Sequence, residues 1–109
     1  MDDVEYRKRV REIFEGMAKA IDRVDPDVLE AELAQGVLTI LSGKQKTILS
    51  PQPPVQQIWL AAAAQGIAVH FSLDAENNRW LDDKGKGLEL YAFTEEVLKK
   101  ASGQTIRLT

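Results

Sequence analysis

Cysteine is absent from this chain of 109 residues, which excludes a disulfide framework, a thiolate metal site and a cysteine nucleophile. Histidine occurs once, at position 70, so no histidine cluster with metal-ligand spacing can form. There is no Gly-x-Ser-x-Gly elbow, and no glycine loop of the kind that cradles phosphates or dinucleotides. These absences argue against an enzyme with an ordinary set of catalytic side chains. No apolar run approaches the roughly 20 residues of a spanning helix, so no membrane role is expected. The first residues lack the basic-then-apolar pattern of a secretory signal and carry too many acids for a transit peptide, which predicts a cytoplasmic protein. Fourteen lysines and arginines face seventeen acids, a net charge of −3 with no basic stripe, and this argues against nucleic acid as a partner.

What is present is ordinary for a soluble globular protein: 44% hydrophobic and 28% charged residues, at a length that fits one domain over 1–109 with a short tail at 104–109. From about residue 3 to 24, Tyr6, Val10, Ile13, Phe14, Met17, Ala20, Ile21 and Val24 recur at steps of three and four, the stripe of an amphipathic helix with Asp2 or Asp3 as N-cap. From Val28 the period drops to two, with Leu29, Ala31 and Leu33 alternating with Glu30 and Glu32. Strands are expected at Val37–Leu41, Gln45–Leu49, about 56–62, from Gly66 to Leu73, and at Arg79–Leu81, separated by turn residues. Pro53-Pro54 should feed the strand at about 56–62 from a stiff, extended segment. A second helix is expected from about Glu89 to Ala101, with Leu90, Phe93, Val97, Leu98 and Ala101 as its apolar stripe. One helix, a run of strands and one helix predict an α+β fold, a two-layer sandwich with both helices on one face of a five- to six-stranded antiparallel sheet. The other sheet face is then left to water or to a partner.

Two constellations stand out. Between Glu15 and Glu32 there are six acids (Glu15, Asp22, Asp25, Asp27, Glu30, Glu32) and two bases (Lys19, Arg23), a local net of −4. Carboxylate oxygens are hard ligands suited to iron, manganese, calcium or magnesium, and any site here would be open, hydrated and weak. The same acids also fit a solvated helix face and strand edge. The second constellation is on the open sheet face, where strand parity places Gln57, Trp59 and His70 opposite the core residues Ile58 and Leu60. An exposed tryptophan flanked by amides is a typical hot spot for a protein partner. His70 alone reads as a tolerated half-exposed residue more readily than as a ligand, Trp80 as core or sheet edge, and Asp82-Asp83-Lys84-Gly85 as a turn.

The run Gly36-Val37-Leu38-Thr39-Ile40, then Gln52-x-Pro54-x-x-Gln57-Ile58-Trp59-Leu60-Ala61, then Gly66 leading to His70-Phe71 and later Trp80, resembles the frataxin family, in particular its bacterial CyaY branch. The similarity spans nearly the whole length. It implies an α-β-α sandwich, weak surface binding of iron (Fe2+ or Fe3+) by an acidic ridge, and a role in iron–sulfur cluster assembly. The partners it implies are a cysteine desulfurase and the scaffold protein, with iron donation, regulation of the desulfurase, or both as the task, carried out by a monomer when metal-free. Asp22, Asp25, Glu30 and Glu32 fall at ridge positions of that family, with Glu15 and Asp27 as weaker candidates, while Gln57 and Trp59 match its exposed sheet residues. Ala18-Lys19 and Asp22-Arg23 stand where that branch carries adjacent acids, so the ridge is thinned, and Ser50 and Pro51 depart from its usual loop. Two other function classes fit the resemblance: a ferroxidase or iron-storage activity, which lacks the Glu-x-x-His pairs of a di-iron centre, and a metal-independent interaction module.

Overall fold

The computed structural model describes residues 1–109 in full. Helix α1 spans Asp3–Ile21 and is started by Asp2, whose carboxylate accepts from the Glu5 amide at 2.8 Å. Tyr6, Val10, Phe14, Met17, Ala20 and Ile21 are its buried stripe. It stops three residues before the apolar periodicity does. The backbone of Asp25, which precedes the donorless Pro26, instead takes the amides of Val28 and Leu29 at 2.8 and 3.1 Å, and its carboxylate takes that of Asp27 at 2.9 Å. This turn consumes Val28 and Leu29, so strand β1 begins at Glu30 rather than Val28 and runs to Ala34.

The remaining strands are β2 (Val37–Ser42), β3 (Gln45–Gln52), β4 (Gln57–Ala62), β5 (Ile67–Asp74) and β6 (Arg79–Asp82), all antiparallel in the order β1-β2-β3-β4-β5-β6. Gln35 and Gly36 both have positive φ between the paired Ala34 and Val37, the two-residue turn whose twist suits a hairpin. Strand β3 is three residues longer than its apolar alternation suggests and includes Pro51, opposite Ile58. By Pro51 the strand has run past its pairing with β2, which ends at Leu38 opposite Leu49, so only one side of the backbone still needs donors. Pro53–Val55 then form a 3-10 turn, with the Gln56 amide bonded to the Pro53 carbonyl at 3.1 Å. The double proline is therefore a hairpin turn and not an extended lead-in, because its fixed φ suits a 3-10 turn as well as an extended chain.

Helix α2 covers Leu90–Ser102, capped by the Glu89 carboxylate on the amides of Tyr91 and Ala92 and ended by Gly103 at φ 76°. Its buried positions are Leu90, Thr94, Val97 and Leu98. Thr94 was not legible as core; its hydroxyl is satisfied by donating to the Leu90 carbonyl at 2.7 Å. In the tail, Ile106 and Leu108 are buried, and the Leu108 amide donates to the Glu95 carboxylate of α2 at 2.8 Å.

Both helices lie on one sheet face. Leu38, Ile40, Leu49, Ile58, Leu60, Phe71 and Trp80 join the helix stripes in one core, while Thr39, Ile48, Trp59, Ala61, Ala68, His70 and Ser72 occupy the other face, half-buried or exposed. β1 is the exception: Leu33, expected inside by alternation, is 38% exposed because this edge strand is largely uncovered.

One side chain fixes the hairpin that carries Trp59. The Tyr6 hydroxyl donates to the Gln57 carbonyl and accepts from the Gln52 amide at 2.9 Å, clasping both ends of the β3–β4 turn to α1. Burial raises its pKa, so the phenol keeps the proton it donates. A raised folded-state value means the contribution is whole below the ordinary value of 10.0 and fades as pH climbs through the folded one. Tyr6→Phe is expected to cost about 1–2 kcal/mol in urea unfolding with an unchanged m-value. A loss within error of zero would show that the clasp carries no stability.

Candidate functional site

The acids grouped by sequence are only partly grouped in space. Asp22 is the C-cap of α1, its amide bonded to the Ala18 carbonyl at 2.9 Å and its carboxylate free in solvent. Pairing with Leu41 and Thr39 puts Glu30 and Glu32 on one side of β1, the side of the open sheet face. Asp22, Glu30 and Glu32 line one shallow groove over Ile21, Val24, Pro26, Leu29 and Leu41. Asp25 turns its carboxylate into its own loop, Asp27 lines no groove with them, and Glu15 borders a different groove beside Leu33 and Gly36.

Neither the four arginine–carboxylate ion pairs nor the His70–Asp83 contact includes any of these six acids, so Lys19 and Arg23 leave them unneutralised at short range. No three acidic or histidine side chains converge to surround a metal ion. The donor set, exposed hard oxygens on separate elements, therefore fits a hydrated cation held loosely and not a closed coordination shell.

The open sheet face holds a tighter assembly. Trp59 of β4 is paired with His70 of β5, and their rings stack with centroids 4.0 Å apart and planes 10° from parallel. The indole N–H donates to Gln57 Oε1 at 2.9 Å. Gln57 in turn donates from Nε2 to Ser72 Oγ and to Asp83 Oδ2, both at 3.1 Å. The same Asp83 oxygen lies 3.5 Å from His70 Nδ1. Trp59 thus has its ring plane set by one neighbour and its N–H by another.

Asp83 is the member that sequence reasoning missed. What aims it is Asp82, 8% exposed, whose carboxylate accepts from the amides of Lys84, Lys86 and Leu88 at 3.3, 3.0 and 2.8 Å. Those bonds, with that from the Lys86 amide foremost, hold its carboxyl below the ordinary carboxylate value. The loop is so wound around Asp82, and the Asp83 amide bonds to the His70 carbonyl at 2.9 Å. Two adjacent aspartates before Lys-Gly-Lys-Gly give no hint of which carboxylate organises the loop and which faces the sheet. Trp80 is buried beneath, its ring centroid 6.3 Å from that of Tyr6.

Beside Trp59 and His70, the next row across the sheet is Ile48, Ala61 and Ala68. The result is a flat shelf, small and apolar in one row and aromatic in the next, with its central indole already oriented. A partner docking there needs to immobilise little, which is the usual condition of an interface hot spot. No helix is long and apolar enough to cross a membrane.

Comparison with known proteins places this geometry in a family. A frataxin-like domain matches residues 1–104. The iron-sulfur cluster assembly protein CyaY of Tolumonas auensis is 34% identical, over 99% of each chain. The protein of the same name from Paraburkholderia phymatum is 32% identical, over 99% of this chain and 98% of its own. The solved structure of frataxin from Psychromonas ingrahamii superposes with a TM-score of 0.87 at 24% identity, covering 100% of this chain and 99% of that one, and so has the same fold. With two helices on one face of a six-stranded antiparallel sheet and a match along nearly its whole length, this chain belongs to the frataxin family, in its CyaY branch.

Proposed function

We propose that this protein is an iron-binding accessory of iron–sulfur cluster assembly, which holds iron at the α1–β1 edge and docks on a cysteine desulfurase and its scaffold protein. It acts in the cytoplasm, as a monomer when metal-free, donating iron or regulating the desulfurase. The observation that carries the reading is the groove lined by Asp22, Glu30 and Glu32 with no cation paired to any of them. Its relatives' name, iron-sulfur cluster assembly protein, supplies the setting.

The expected strength follows from exposure. In water-like surroundings a dication gains about 2 kcal/mol from each carboxylate 4 Å away, and since no three of them converge on one point, about two such gains apply together, which gives a dissociation constant of roughly 1 mM. Titrating ferrous iron anaerobically into labelled protein should broaden the amide signals of Asp22, Glu30 and Glu32 first, and those of Asp25 less, because its carboxylate is engaged in its own turn. Uniform broadening, or none, would remove iron from the proposal.

The lack of a convergent carboxylate triad favours a second reading, a metal-independent module that steers by charge alone. In that case association with the desulfurase falls steeply with salt yet is indifferent to an iron chelator.

A further inference from the structure

Strand β1 is an open edge. It is hydrogen-bonded to β2 alone, and none of the backbone bonds outside the helices and strands involves residues 30–34. The opposite edge is closed: Leu81 of β6 bridges to Glu89, and the Asp82 amide bonds to the Leu88 carbonyl at 3.0 Å. β1 has no proline, no lysine and no break in its five-residue register, so its guards against pairing are its short length and Glu30 and Glu32, which a basic segment would neutralise.

The two sides of β1 differ in chemistry. On the open-face side it presents Glu30 and Glu32, unpaired. On the helix side it presents Ala31 and the exposed Leu33, beside a groove floored by Val10, Phe14 and Pro51 and rimmed by Arg7, Arg11 and Glu15, with Arg7 paired to Asp3 at 2.7 Å. A strand laid along β1 would set alternate side chains against these two sides. The unpaired glutamates attract a basic side, while the apolar groove, whose rim charges offset one another, suits an apolar one, so the chemistry of the two sides fixes which way such a strand faces.

We infer that β1 is a strand-addition site for an extended segment of a protein partner in which lysine or arginine alternates with apolar residues. A second copy of this chain is a poor occupant: in full antiparallel register Glu32 would oppose its own counterpart, and like charges directly opposite are destabilising. The inference rests on the proposed docking to the desulfurase and its scaffold, and it adds the acidic edge as one docking surface, the mode, backbone pairing, and the sequence pattern of the segment.

The test uses the labelled full chain and three blocked peptides of about seven residues, the length of a typical strand. One alternates lysine and valine, one has the same residues in two blocks, and one alternates glutamate and valine. The alternating lysine–valine peptide should shift the amides of residues 30–34 and slow hydrogen exchange at the outward ones at least fivefold, with the other two peptides doing neither. Leu33→Lys, at a position that is 38% exposed, should weaken the peptide at least fivefold. Equal shifts from the blocked-composition peptide, or shifts without slowed exchange, would mean charge attraction only and overturn strand addition. Concentration-dependent self-association through β1 in sedimentation would overturn it as well. Binding of the Glu30→Gln, Glu32→Gln double variant to the desulfurase–scaffold complex separates the two readings. If that variant binds weakly while the peptide leaves exchange unchanged, the acidic edge stands and strand addition falls. If it binds as the parent does, the docking role of the edge falls, and strand addition to the desulfurase falls with it.

Discussion

Replacing Trp59 with alanine is expected to weaken association with the desulfurase–scaffold complex about 30-fold or more, near 2 kcal/mol, with the fold intact. The size comes from the position of the ring: it stands on the uncovered sheet face beside Ile48 and Ala61, with its plane set by His70 and its N–H by Gln57. A ring already immobilised loses little entropy when a partner covers it, so most of its buried area is realised as affinity. The fold should survive because the core beneath is built by Ile58 and Leu60 on the other side of the same strand. Binding measured by titration calorimetry, alongside far-ultraviolet dichroism and the remaining fluorescence of buried Trp80, separates lost contact from lost structure. His70→Ala and Gln57→Ala should each cost less, a few-fold, since they orient the indole. An affinity for Trp59→Ala within twofold of the parent would remove this face from the interface.

Asp82→Ala is expected to lower the thermal midpoint by roughly 10 °C, as three amide donors lose one shared acceptor and the loop from Asp83 to Leu88 is released. Amide exchange at Lys84, Lys86 and Leu88 should accelerate well beyond that of the β3–β4 hairpin. The pH dependence has a definite sign. The folded-state value of Asp82 is lowered, so the unfolded chain binds the proton more readily and stability rises with pH. The contribution is complete above the ordinary carboxylate value of 3.8 and disappears as pH falls through the lowered folded value. Asp82→Asn should therefore have a flatter acid-unfolding curve than the parent between 3.8 and the lowered folded value. The loop also carries Asp83, so both variants should slacken the Gln57 and His70 contacts and lower partner affinity a few-fold. Melts at pH 7 that differ by less than two degrees would show that the loop does not depend on its carboxylate.

The elements were legible because their signals are local. The stripe from Tyr6 to Ile21, the Gln35-Gly36 turn, and the caps at Asp2 and Gly103 are short-range patterns that solvent partition and backbone sterics enforce wherever they occur. Failures fall where a distant segment decides. Leu33 alternates like a core residue yet stays exposed, because burial of an edge position depends on how far the helices reach across the sheet. Thr94 is polar by composition but lies in the core, because α2 turns that face onto the sheet, and the Leu90 carbonyl one turn back satisfies its hydroxyl there. The two prolines stiffen the chain in either an extended or a turn geometry, and the Tyr6 clasp holds them in the turn.

The sequence by itself determined the order of helices and strands, the family, the side of β4 on which Trp59 stands and the excess of carboxylates between residues 15 and 32. Only the tertiary structure decided which of those carboxylates share a groove, and that Asp83 joins Gln57, Trp59 and His70. Parity along a strand and periodicity along a helix are properties of neighbouring residues, readable one after another. That Asp22 shares a groove with Glu30 and Glu32, or that Gln57 meets Asp83 twenty-six positions away, depends on strand pairing and on how each turn closes, and no local pattern encodes that.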